Sequence, residues 1–198
     1  IAGNGIAGDT DGPAKDAQFN EPWGLSVGNN NEVYVADAKN NKIKVIYPNG
    51  IVETMAGTGN AGFSDNSNPL ISSFFWPSDV EFDHSNGNLF VAGHLSHLIR
   101  KIDSNRSVTT FAGSKVSFPY NFGSTDGFGS VAKFNRPYGI HLGKSGNLYV
   151  ADEWNSMIRK ISPDGLVSSI GGEEEVYDYM NGTSSLFNYP WDITTDLS

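Results

Sequence analysis

The sequence predicts an all-β fold, a β-propeller of four-stranded antiparallel blades whose ring is incomplete in this chain. Three observations lead to this prediction: a motif that recurs every 50 to 60 residues, short runs of alternating apolar residues within each repeat, and turn-forming residues between the runs. Antiparallel four-stranded units of this length are typical of propeller blades, which stack radially to bury their faces.

The repeat begins with a phenylalanine that is followed three residues later by a proline. It occurs at Phe19, Phe74, Phe134 and Phe187, at intervals of 55, 60 and 53 residues. A second anchor, Val-Tyr-Val-Ala-Asp at 33–37, has counterparts at 89–93 and 148–152, and each repeat closes with two small residues. We therefore predict one propeller segment with blades at 19–57, 74–113 and 134–172 and the start of a fourth at 187–198.

Four short strands are expected in each blade. In the first blade they lie at 25–27, 33–36, 43–47 and 52–55, where β-branched and aromatic residues alternate with polar ones. Pairs such as Asn49-Gly50 and Asp164-Gly165 separate the runs and favour tight hairpin turns.

These residues resemble the NHL repeat, whose pattern combines F-x-x-P-x-G, L-Y-V-A-D and N-x-x-I-R-K-I. Residues 134–170 fit it nearly throughout, whereas the middle repeat has Gly93 for the Asp, Ser96 for the Asn and Asp79 for the Gly. The resemblance implies a propeller that usually has six blades, so we expect a segment of a longer chain rather than half of a head-to-tail dimer. NHL-like propellers include protein scaffolds, RNA binders, extracellular adhesion modules and a few enzymes, and the resemblance therefore leaves the function open.

Composition excludes some classes of function. Thirteen basic residues against 22 acidic ones give a formal net charge of −9, which disfavours binding of nucleic acid through a basic surface. No apolar stretch is long enough to span a membrane, and the absence of cysteine removes disulfides and thiolate chemistry.

Four polar residues on the first strands are candidates for a site in the central channel. The second and fourth residues after each repeat proline differ between blades, although the scaffold gives no reason for them to differ. The charged or imidazole side chains at these positions are Asp79, Glu81, His141 and Asp192. We expect them to bind a cation, water or a small polar ligand, with a solvated channel wall as the alternative.

Aromatic residues in the loops between blades are candidates for a partner surface, because exposed aromatics often mark interfaces. They are Phe118, Tyr120, Phe122, Phe128, Tyr177 and Tyr179, and local packing against the blade edges is the alternative for them. Two N-x-S/T sequences make Asn105 and Asn181 candidate glycosylation sites.

Two further patterns invite a chemical interpretation. Asp11, Asp65 and Asp126 recur before the phenylalanine anchor, and they are interpreted as turn residues, with metal binding as the alternative. His94 and His97 form a close pair, but one pair does not make a zinc site, and we interpret it as a surface loop that has drifted from the repeat.

The function that these patterns favour is a non-catalytic protein- or glycan-binding or assembly module, part of a longer extracellular or structural protein. Its partners would be other protein chains or glycans, or copies of itself in a homo-oligomer or filament, and it would need no cofactor. The alternative is a propeller hydrolase or lyase with a divalent metal, Ca or Zn, in the channel, where Asp79 or Glu81 binds the metal and His141 is a ligand or base.

Overall fold

The computed structural model describes residues 1–116, 121–173, 180 and 186–196. Their regular structure consists of β-strands and four short 3-10 turns, and no α-helix occurs among them. Within these ranges no helix has the length and apolar character needed to cross a membrane. The all-β prediction is confirmed.

Fourteen strands form three antiparallel sheets in the described parts of the chain. The first sheet contains β1 (Gly12–Pro13), β2 (Pro22–Val27), β3 (Val33–Asp37), β4 (Lys42–Ile46) and β5 (Ile51–Ala56). The middle sheet contains β6 (Pro77–Phe82), β7 (Leu89–Gly93), β8 (Leu98–Ile102) and β9 (Val108–Ala112). The third contains β10 (Gly127–Phe128), β11 (Pro137–Leu142), β12 (Leu148–Asp152), β13 (Met157–Ile161) and β14 (Leu166–Gly172).

Each sheet contains the four-stranded meander expected of a propeller blade, and two sheets have a short fifth strand. The orders are β1-β5-β4-β3-β2, β6-β7-β8-β9 and β10-β14-β13-β12-β11. The extra strands come from the segments before each blade, because Gly12 pairs with Val52 and Gly127 pairs with Val167. In the middle blade a single bridge between Asn66 and Val108 takes the same place.

The chain divides into two compact units. The first consists of Ile1–Val91 and Lys101–Thr109, and the second of Ala92–Arg100 and Thr110–Ser198. The first sheet belongs to the first unit, the third sheet belongs to the second, and the strands of the middle sheet are shared between them.

The core of the first unit is apolar and lies between its strands. Ile43, Val45, Val80 and Val91 are almost fully buried in one cluster, as the alternation of apolar residues predicts. Leu25 is the exception: it occupies the repeat position of Val80 but is 62% exposed. Leu25 therefore contributes little to this core.

A buried cation connects the strands of the first blade to the segment before it. The Lys44 side chain is fully buried, and its Nζ lies 2.9 Å from Asp11 Oδ1 and 3.2 Å from Asp9 Oδ1. Asp11 also accepts a hydrogen bond from the Thr54 backbone at 2.8 Å. These donors outweigh the effect of partial burial and hold the pKa of Asp11 below its usual range.

The third blade repeats this arrangement with Arg159. Its fully buried guanidinium bonds to Asp126 Oδ1 at 2.7 Å and to Asp152 Oδ2 at 2.8 Å, and Asp126 also accepts from the Ser169 backbone. The interpretation of Asp11 and Asp126 as residues that bond to their own turns was therefore wrong. They neutralise a cation on a distant strand, because a buried charge is stable only when it is paired.

Candidate functional site

The residue before each repeat proline has an unusual backbone conformation. The residue before the proline has a positive φ of 48–55° in all four repeats, at Glu21, Trp76, Arg136 and Tyr189. This left-handed region is unfavourable for residues other than glycine. Side chains of the preceding repeat compensate, because Asn41 Oδ1 accepts from the Trp76 N–H at 2.8 Å and His97 Nδ1 accepts from the Arg136 N–H at 3.0 Å.

A β-bulge follows immediately after the proline. The pairing register of β2 with β3 shifts between Pro22 and Leu25, and that of β11 with β12 shifts between Pro137 and Ile140. A bulge changes the direction of side chains at the end of a strand. The prolines are the first residues of β2, β6 and β11, so the side chains on both sides of each proline lie at one end of a strand, which we call the rim.

Among the described residues, Trp191 is the most exposed aromatic side chain on the rim of the second unit. It is 63% exposed, and its ring stacks on that of Tyr138 with 5.6 Å between centroids and 15° between planes. Its indole N–H donates a hydrogen bond to the Glu153 carboxylate. These two contacts hold an exposed ring in a defined orientation.

Three more rim side chains of the same unit pack together. The Arg136 guanidinium lies 3.6 Å from the centre of the Trp154 ring, within the range of a cation–π interaction. Trp154 meets Tyr189 edge to face at 6.4 Å, and each of these two rings is 43% exposed. We call Arg136, Tyr138, Glu153, Trp154, Tyr189 and Trp191 the aromatic rim cluster.

Glu153 and His94 lie beneath the exposed rings. Both residues are buried, and His94 Nδ1 lies 3.7 Å from Glu153 Oε2. Burial raises the pKa of Glu153, although the Arg136 charge and the Trp191 hydrogen bond oppose this. Glu153 Oε2 is buried and has no hydrogen-bond partner among the described residues.

His94 and His97 are both neutral at pH 7. Burial, together with the nearby Arg136 charge, lowers the pKa of each to about 4. The interpretation of this pair as a drifted surface loop was wrong, because both side chains are buried and His97 accepts the Arg136 N–H in the way that Asn41 accepts that of Trp76.

The rim of the first unit contains fewer aromatic residues. Trp23 is 37% exposed and contacts Trp76 with 5.8 Å between ring centroids. Lys39 and Glu21 also form an ion pair there, at 2.9 Å. The second unit therefore has the larger aromatic surface.

The residues predicted for a channel site are divided between the units. Asp79 and Glu81 lie on β6 in the first, and His141 and Asp192 lie in the second. None of the four belongs to the aromatic rim cluster, and their binding role stays a prediction. Among the described residues no group of three His, Asp or Glu side chains is placed to hold a metal.

The alternation of glycine and aspartate at this repeat position has a packing explanation. A Cβ atom at Gly24 would lie 2.6 Å from Asp79 Cα, and one at Gly139 would lie 2.8 Å from Asp192 Cα. Asp79 and Asp192 each accept a hydrogen bond at 2.8 Å from the N–H of the next residue. A glycine in one repeat thus accommodates an aspartate in the next.

Two of the six predicted partner-surface aromatics are described, and both are exposed. Phe122 is 45% exposed with its ring 5.6 Å from that of His97, and Phe128 is 55% exposed on the outer strand β10. The exposed Asn105 lies between β8 and β9. The remaining predictions fall outside the described residues: Phe118, Tyr120, Tyr177, Tyr179 and Asn181.

The repeat is shared with known proteins. The NHL repeat model matches residues 19–46. The Arabidopsis thaliana protein SUPPRESSOR OF QUENCHING 1, chloroplastic, is 30% identical over 82% of this chain and 16% of its own length. The human NHL repeat-containing protein 2 is 28% identical over 82% of this chain and 26% of its own length. The chain thus spans about a quarter or less of these two relatives.

Solved structures share the fold at low sequence identity. An auxiliary nutrient binding protein from Bacteroides thetaiotaomicron aligns with a TM-score of 0.67 and 16% identity over 91% of this chain and 44% of that one. Virginiamycin B lyase from Staphylococcus aureus aligns with a TM-score of 0.53 and 17% identity, over 78% of this chain and 42% of that one. Together with the repeats and the sheet topology, these similarities identify the chain as an all-β protein with propeller blades that resembles the NHL-repeat proteins.

Proposed function

We propose that the protein is a non-catalytic binding module that holds a glycan or another protein chain at the aromatic rim cluster. The observation that supports this proposal is the grouping of Trp154, Tyr189 and Trp191, each at least 43% exposed, beside Arg136. Exposed aromatic and arginine side chains supply most of the binding free energy in many interfaces.

The cluster is organised before any partner arrives. Trp191 is fixed by Tyr138 and Glu153, and Trp154 is fixed by Arg136. Ordering a flexible side chain on binding costs about 0.5–1.5 kcal/mol, and rings that are already ordered avoid most of this cost. The ordered rings therefore favour a role of the cluster in binding a partner.

The comparisons are consistent with a binding role. The neighbour with a TM-score of 0.67 is named for nutrient binding. An extracellular location and glycosylation of Asn105 belong to the same proposal, and the exposure of Asn105 supports access by a glycosylating enzyme.

The experiment compares ligand selection by the wild type and by the double variant Trp154→Ala/Trp191→Ala, using a glycan array and a displayed peptide library. Trp23→Ala serves as the control, because this side chain is exposed and lies outside the cluster. Ligands selected by the wild type should bind the double variant at least about tenfold more weakly and the control equally well. Equal binding to the double variant, with unchanged circular dichroism, would contradict the proposal.

The metal-dependent hydrolase or lyase is tested separately. Elemental analysis of the purified protein and its melting temperature in EDTA address this alternative. If the protein holds a stoichiometric Ca or Zn, and Glu81→Gln or His141→Ala weakens the binding of that metal, the enzyme hypothesis is favoured over the binding module.

A further inference from the structure

Trp191 offers a surface suited to an apolar ring face. Its 63% exposure leaves most of the indole accessible, while Tyr138 and the Glu153 carboxylate keep it in place. The C–H face of a pyranose ring is apolar and of similar size to an indole ring. Packing one against the other removes apolar surface from water without ordering the protein further.

A polar group lies beside this surface. The Arg136 guanidinium rests on the Trp154 ring, 3.6 Å from the ring centre. Its N–H groups are donors, and a hydroxyl group can accept from them. A ligand with several hydroxyl groups can therefore bind Arg136 while one of its rings packs on an aromatic face.

The charge of the cluster favours a neutral ligand. Arg136 and Glu153 carry opposite formal charges and lie close enough for the arginine to lower the pKa of the acid. An anionic ligand would meet Glu153, a cationic one would meet Arg136, and the net charge of −9 repels acidic glycans at long range.

The size of the cluster favours a small ligand over a folded protein. A stable protein interface buries about 800 Å² on each partner. The cluster has three exposed rings, those of Trp154, Tyr189 and Trp191. A ligand of a few sugar units is large enough to cover them.

Resting on the proposed function, we infer that the ligand of the aromatic rim cluster is a neutral carbohydrate. One of its rings packs on Trp191, and its hydroxyl groups accept from Arg136. Trp154 and Tyr189 contact the neighbouring sugar unit.

The test uses four soluble neutral oligosaccharides: cellohexaose, maltohexaose, xylohexaose and mannohexaose. Each is titrated into the wild type and followed by isothermal calorimetry and tryptophan fluorescence. At least one should bind saturably, and Trp191→Ala should weaken it at least about tenfold. Trp191→Phe, which keeps a ring but loses the indole N–H, and Glu153→Gln, which keeps the size of the side chain, should each weaken binding less.

The control is Trp23→Ala, which removes an exposed indole from the other unit and should leave sugar affinity unchanged. If no sugar binds, but a peptide or protein ligand is lost with Trp154→Ala/Trp191→Ala, the carbohydrate inference fails and the binding module stands. If sulfated or sialylated glycans bind more tightly than the neutral ones, the inference of a neutral ligand is overturned. If a sugar binds and Trp191→Ala has no effect, both proposals fail.

Discussion

Replacing Arg159 with methionine tests whether the buried cation is needed for the fold of the third blade. The guanidinium makes four hydrogen bonds: to Asp126, to Asp152, and to the backbone oxygens of Lys133 and Thr125, at 2.7–3.1 Å. Methionine fills much of the same volume but offers no donor. Asp152 would keep only its bonds from the Asn135 N–H and the Asn155 amide.

The magnitude follows from the burial of the two carboxylates. Asp152 and Arg159 are both fully buried, and breaking such a pair costs about 3–5 kcal/mol. The Asp126 side chain is 49% exposed, so loss of its pair adds less than about 1 kcal/mol. We therefore expect Arg159→Met to lower the free energy of unfolding by about 4 kcal/mol at pH 8.

The loss of unfolding free energy caused by Arg159→Met should be smaller at low pH. Burial already raises the pKa of Asp152 to about 6 in the presence of Arg159, and removing the guanidinium raises it further. An acid whose pKa is higher in the folded state than in the unfolded one destabilises the fold as pH rises through that range. The variant should therefore be closer to the wild type at pH 5 than at pH 8.

Urea unfolding followed by circular dichroism measures these values. Lys160→Met is the matched control, because Lys160 is the next residue on β13, is partly exposed, and alternates to the other face. The double variant Arg159→Met/Asp152→Asn should recover at least about 1 kcal/mol, since the buried charge is gone. A loss below about 1 kcal/mol for Arg159→Met, or no recovery in the double variant, would refute the reasoning.

Three further predictions concern single positions. His97→Asn should cost less than about 1 kcal/mol in urea unfolding, because Asn41 makes the same contact one repeat earlier, whereas His97→Ala should cost about 2 kcal/mol by leaving the Arg136 N–H unpaired. The free energy of unfolding of the wild type, measured relative to that of His97→Asn, should fall by up to about 3 kcal/mol as pH drops from 6.5 to about 4. The reason is that the lowered pKa of His97 in the folded state lets the unfolded state take up the proton first. If the difference between the two proteins did not change with pH, His97 would not be a neutral buried imidazole. Gly24→Ala should destabilise the first unit by about 1–3 kcal/mol, because its Cβ would lie 2.6 Å from Asp79 Cα, and an unchanged thermal transition would contradict this contact.

The strands were predictable because their pattern is local. The run at 43–47 corresponds to Lys42–Ile46 and that at 52–55 to Ile51–Ala56, within about one residue at each end. The outer strands β1 and β10 were missed, because two residues are too few to show alternation. Asp11 and Asp126 were misread for a related reason: their partners are more than 30 residues away in sequence.

The aromatic rim cluster was harder to predict than the fold. The predicted channel residues are the second and fourth after each proline, whereas four members of the cluster lie immediately before or after a proline. Arg136 and Tyr138 flank one proline, and Tyr189 and Trp191 flank another, so the signal was present. Alternation places residues two apart on one face only within a strand, and β11 begins at Pro137, after Arg136. The position of Arg136 depends on its positive φ, which the residue types alone do not reveal.

The position before each proline has a consequence for engineering. Glu21, Trp76, Arg136 and Tyr189 are an acid, an indole, a base and a phenol, yet their φ values agree within 7°, from 48° to 55°. At Trp76 and Arg136 the backbone N–H is held by a side chain of the preceding repeat, so the residue's own side chain does not determine its conformation. A library that randomises these four residues would change the chemistry of the rim while retaining the backbone that presents it.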